Sequence, residues 1–115
     1  QLHEIGAVMV AAAANDMGWR VIYLGASLPA VEIVGAAMQN KARAVALSIV
    51  FPGDDPNLPA ELEILRKHLP DEVKIIAGGH AAESYAAALQ KIGGIHAKEL
   101  RDLYAILERL RMPIS

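Results

Sequence analysis

The chain has 115 residues, 54% of them hydrophobic, which suits one domain with a genuine core and leaves no room for two. It has no cysteine, so a disulfide framework and a thiolate metal site are both excluded and a reducing, cytoplasmic setting is expected. The formal charge is -2 with Lys and Arg dispersed, which leaves no electrostatic footprint for nucleic acid or an anionic membrane; any DNA contact is expected to belong to another domain.

From His3 to Met17 the apolar residues Ile5, Val8, Met9 and Ala12 recur at helical spacing among alanines, and Gly18 is placed to stop a helix. Trp19 to Leu24 is rich in β-formers and is closed by Gly25; Pro29 then suits the first turn of a helix running to about Asn40. Ala44 to Val50 is an apolar run of the kind buried on both faces of a sheet. A polar loop follows from Phe51 to Leu58, and Pro59 opens a helix to about Leu69. Val73 to Ala77 reads as a strand closed by Gly78-Gly79, Ala81 to Ile92 as a helix, and Ile95 as the centre of a short strand. A last helix is predicted from Glu99 to Arg111, whose stripe of Leu100, Leu103, Ile106, Leu107 and Leu110 suits packing on the sheet or on a partner.

This alternation predicts an α/β fold, a Rossmann-like or flavodoxin-like doubly wound parallel sheet. Ligands in such sheets bind beyond the carboxyl ends of the strands, here at Gly25–Pro29, Ser48–Pro56 and Gly78–Ala82. A doubly wound domain ordinarily starts with a strand, whereas this chain starts with a predicted helix. Residues 1–115 are therefore expected to be one domain of a longer chain whose leading strand lies upstream.

Several chemistries lack their residues. A zinc-protease helix needs a second histidine one turn after His3-Glu4, and Ala7 stands there. Neither the spaced glycines of a dinucleotide site nor a Gly-Lys-Ser/Thr phosphate loop is present. Asp54 and Asp55 sit with Gly53 and Pro56 and read as turn and cap residues. His68 falls near a helix end, where a cation suits the helix dipole. No nucleophile and base form a recognisable pair, so independent catalysis is not expected.

Three separated elements do fall in register. Gln1-Leu2-His3-Glu4-Ile5-Gly6 is followed, after the 41 residues 7–47, by Ser48-Ile49-Val50, and after the 27 residues 51–77 by Gly78-Gly79. This resembles the D-x-H-x-x-G, S-x-L and G-G signature of the cobalamin-binding domain shared by methionine synthase, the corrinoid mutases and certain MerR-type transcriptional regulators, and the resemblance covers the whole chain. It implies cobalamin, as adenosylcobalamin or methylcobalamin, with His3 as the lower axial cobalt ligand and Gly6 keeping the first helix clear. It also implies a nucleotide tail lying beside Ser48, with Gly78-Gly79 leaving room for it; without the motif, an ordinary strand-to-helix turn explains the glycine pair equally well. Gln1 stands where the family has the aspartate that holds the far nitrogen of the histidine, and Val50 stands where it has leucine. A glutamine carbonyl accepts the same hydrogen bond but carries no charge, so a weaker cobalt bond is expected.

Gly18 to Gly25, Leu28-Pro29-Ala30, and Ala46 to Pro52 followed by Asp54-Asp55-Pro56 look most like the regulator branch of that family. The implied role is a sensory module of a transcriptional regulator, touching DNA only through an attached domain. The alternatives are a corrinoid carrier domain of a methyltransferase or mutase, and a scaffold that no longer holds the cofactor. The sequence leaves the oligomeric state open, a homo-oligomer included.

Overall fold

A computed structural model of the chain describes residues 5–14, 18–49, 57–79, 81–97, 102 and 105. In chain order it has strands β1 (Ile5–Ala14) and β2 (Gly18–Gly25), helix α1 (Ala30–Gln39), strand β3 (Ala44–Ile49) and helix α2 (Asn57–His68). Strand β4 (Lys74–Gly78), a 3-10 turn (Ala82–Tyr85), helix α3 (Ala86–Lys91) and the short strand β5 (Ile95–His96) follow. The five strands form one sheet in the order β2-β1-β3-β4-β5. β1 is antiparallel to both of its neighbours, and β3, β4 and β5 pair in parallel, so every strand except β1 runs the same way. The carboxyl ends of β2, β3 and β4 consequently share one edge of the sheet.

Parallel pairing is present in β3 to β5, the sheet as a whole is mixed because β1 runs against both its neighbours, and the α/β class is the one observed. The helix predicted from His3 to Met17 is corrected: its central ten residues, Ile5–Ala14, are a strand. The segment IGAVMVAAAA is apolar throughout, so its periodicity does not separate a buried helix from a buried strand. Alanine favours the helix by only tenths of a kilocalorie per residue, whereas a strand lying between β2 and β3 satisfies backbone groups on both neighbours. β1 thus lies between β2 and β3, and Gly18 opens β2 instead of ending a helix.

The core lies on one face of the sheet. Val8 and Val10 of β1, Val45, Leu47 and Ile49 of β3, and Ile75 and Ala77 of β4 meet Ile33 and Ala37 of α1, Leu58, Leu62 and Leu65 of α2, and Leu89 of α3. Full burial of such a side chain contributes roughly 1.5–3 kcal/mol. The opposite face carries a smaller cluster of Ala11, Ala44, Ile76 and Ala97, with Ile95 packed against it. Among the described residues no polar or charged side chain is buried.

Local signals explain the helix ends. Pro29, extended at φ -62° and ψ 147°, precedes α1. Asn40 closes α1, donating from its backbone N–H (3.0 Å) and from Nδ2 (2.8 Å) to the Ala36 carbonyl. His68 ends α2 as predicted, exposed, with Nδ1 3.0 Å from the Ile64 carbonyl oxygen. The Lys91–Glu63 pair joining α3 to α2 spans 3.3 Å between exposed side chains and contributes at most about 1 kcal/mol. Asp54 and Asp55 lie outside the described residues. So does most of the predicted helix from Glu99 to Arg111, of which Asp102 and Ala105 are helical.

Candidate functional site

The motif positions that are described gather at the carboxyl ends of β3 and β4. Ser48 pairs with Gly78 in the parallel ladder and with Ala7 in the antiparallel one, so Ala7, Ser48 and Gly78 form a single rung across three strands. Alternation along β3 sends Val45, Leu47 and Ile49 into the helix-covered core, so Ser48 stands on the other face with Ala44 and Ala46. Gly78 shares that face with Ile76. The rung is therefore a low shelf of small residues carrying one half-buried hydroxyl.

Gly6 lies in the same corner, where the β1–β3 register shifts between Ile5 and Ala7. It is the irregular residue of a strand and not the top of a helix, because the segment pairs with β3. The shift lets Ile5 and Val8, three apart, both enter the main core. The chain comes into β1 at this end of the sheet. Gln1 and His3, the residues before it, lie outside the described part, as does Val50 after β3.

The two glycines are held close by the chain's own backbone. A Cβ on Gly78 would sit 2.7 Å from the Ala97 carbonyl oxygen. Gly79 has φ +100°, and a Cβ there would overlap the Ile49 carbonyl oxygen and lie 2.9 Å from the Ile49 nitrogen. That Ile49 carbonyl accepts a 3.0 Å hydrogen bond from the Ala81 N–H, while the Ala97 N–H donates to Ala77 at 2.8 Å. The pair thus makes the tight strand-to-helix turn, and the room a side chain would need at each glycine is taken by the backbone of Ala97 and of Ile49.

Two neighbours were not singled out from the sequence. Ser27, at φ 55°, donates its N–H to the Ile5 carbonyl at 3.2 Å and so ties the Gly25–Pro29 loop to the start of β1. Ala97 faces Gly78. Gly25 and Pro29 marked the first loop as a turn, but nothing in the sequence indicated its tie to Ile5, and no local signal marked Ala97. Among the described residues no three His, Asp or Glu side chains converge as a metal site. A small-residue shelf with one hydroxyl, at the strand ends of an α/β sheet, is suited to an extended organic group lying flat against backbone.

A family model described as "B12 binding domain" matches residues 1–105. The chain belongs to the B12-binding domain family. Cobalamin is accordingly the cofactor of this B12-binding domain, and the polar group that the rung presents at the strand ends is the half-buried Ser48 hydroxyl. Among curated proteins, the domain is 32% identical over 110 residues to the HTH-type transcriptional repressor CarA of Myxococcus xanthus, covering 95% of this chain and 38% of the repressor. It is 30% identical over 91 residues to the 2-hydroxyisobutanoyl-CoA mutase small subunit of Aquincola tertiaricarbonis, covering 79% of this chain and 67% of that subunit. It is 35% identical over 91 residues to the ethylmalonyl-CoA mutase of Cereibacter sphaeroides, covering 79% of this chain and 14% of the mutase. The B12-binding domain thus spans little more than a third of the repressor it matches. No solved structure matches it significantly. Among the described residues no helix is long and apolar enough to cross a membrane.

Proposed function

We propose that residues 1–115 are the cobalamin-binding sensory module of a cytoplasmic transcriptional regulator of the MerR type, with no catalytic role of its own. The observation that carries the binding half is the Ala7–Ser48–Gly78 rung, which sets the motif's serine beside its glycine pair at the end of the sheet where the chain comes into β1. The regulator half is supported by the likeness to a transcriptional repressor along 95% of the chain.

When bound, cobalamin would supply a cobalt that can take one neutral imidazole nitrogen as a ligand. His3 would provide that nitrogen. The Gln1 amide oxygen would accept from the far ring N–H and would orient the ring without the charge a carboxylate adds. Ser48 would offer its hydroxyl to the nucleotide tail, beside the turn that Gly78 and Gly79 make. DNA is reached through an attached domain, whose affinity or assembly changes because cobalamin binds two states of the protein unequally.

The likeness to two mutases favours a second reading, a corrinoid carrier in which this domain positions the cofactor for a partner active site. Gln1 counts against it, because a carrier relies on the carboxylate that tunes its histidine.

The test is the visible spectrum of the full-length protein after incubation with cobalamin in the dark and removal of free ligand. The unmodified protein is expected to retain corrinoid, His3→Ala to lose it or shift its absorption, and Ser48→Val to bind up to about tenfold more weakly. No retention by the unmodified protein would overturn cobalamin binding. An unchanged spectrum in His3→Ala would remove His3 as the ligand.

A further inference from the structure

The two edges of the sheet are built differently. β5 is only two residues long and offers almost no template to another chain. β2 is eight residues long, GWRVIYLG, and among the described residues has only β1 beside it in the sheet. From Gly18 to Tyr23 its pairing with β1 is unbroken, so no bulge twists that length of edge away. It contains no proline or lysine and one charge, Arg20. Ile22 and Leu24 pack toward the main core, while Val21 and Tyr23 point the other way with 48% and 63% of their surfaces exposed. Natural sheets blunt such an edge with shortness, charge, proline or a bulge, and across Gly18–Tyr23 Arg20 is the one such device.

We infer that β2 is a pairing edge for a second copy of this chain, the two β2 strands joining antiparallel about Ile22 into one continuous ten-stranded sheet. The sequence of the strand is self-complementary in that register. With Ile22 opposite Ile22, Val21 of each copy faces Tyr23 of the other, which gives two β-branched–aromatic pairs on one sheet face. Arg20 faces Leu24 of the other copy, so the charged residue never meets its own equivalent. A two-fold axis normal to the sheet satisfies both copies at once and closes the assembly at a dimer.

The test uses the full-length protein without cobalamin. Its mass is followed by light scattering across a dilution series, alongside amide hydrogen exchange of β2. The inference requires concentration-dependent association together with protection of β2 amides that rises with it. Val21→Lys with Tyr23→Lys sets the introduced lysines opposite one another at both pairs, and should weaken association at least about tenfold. Val21→Glu with Tyr23→Lys sets opposite charges at the same places and should restore it. A protein that stays monomeric would overturn the inference, as would association unmoved by the double lysine change or a charge swap that fails to rescue. If the lysine variant does not fold, the exchange data on the unmodified protein decide: β2 protection that ignores concentration, whether from the chain itself or from a different partner, overturns the dimer.

Discussion

At Gly79 an unusual backbone angle and a crowded neighbourhood coincide. The φ of +100° lies where side chains are strained, and the space a Cβ would need is filled by the backbone of Ile49. Gly79→Ala should therefore destabilise the domain by about 2–4 kcal/mol, read as a lower urea midpoint at unchanged slope. Gly35, in the middle of α1 with open space around it, is the control, and Gly35→Ala should stabilise by about 0.5–1 kcal/mol. Equal effects at the two positions would mean that the Gly79 turn is not built as described. The sequence marked Gly78-Gly79 as a strand-closing turn because paired glycines after an apolar run have few other uses. It did not reveal which glycine meets which neighbour, because Ile49 and Ala97 come from distant parts of the chain. Ser48 was legible for a simpler reason, as a hydroxyl interrupting an otherwise apolar strand.

Elements were legible wherever one period dominated. β3 and β4 are short apolar runs bounded by loops, and α2 alternates Leu58, Leu62 and Leu65 with charged residues, so each segment fits only one secondary structure. The first segment fits two, and long-range pairing with β2 and β3 decided it. Its strand form has a signature in mutational energies. Val8 and Val10 both face the main core with no exposed surface, as residues two apart in a strand must. In a helix they would stand about 200° apart around the axis, and only one would be buried. Val8→Ala and Val10→Ala should each lower the unfolding free energy by about 2 kcal/mol, and Met9→Ala, half-buried between them, by clearly less. One costly and one silent valine would restore the helix that the alanines suggested.

At the scale of the whole molecule, the main core sits on one face of the sheet and the Ala7–Ser48–Gly78 rung lies on the other, beside the smaller buried cluster. A group bound on the shelf therefore leaves the main core intact and acts through the strand ends and the loops tied to them. Binding to the folded state alone adds about 2.7 kcal/mol when cobalamin stands at a hundred times its Kd, which for a domain of this size raises Tm by roughly 10–20 °C. That shift should appear whether the domain senses or carries, since both bind. What separates the two is a change elsewhere in the protein. A sensor must bind cobalamin more tightly in one assembly or DNA-binding state than in the other, and each tenfold difference moves that equilibrium by about 1.4 kcal/mol. The full-length protein should then change its mass or its DNA affinity at the same cobalamin concentration that raises Tm. His3→Ala should suppress both responses together. A protein that gains thermal stability while its mass and DNA affinity stay constant would be a carrier, and the glutamine at position 1 would then have to support cobalt chemistry without a carboxylate.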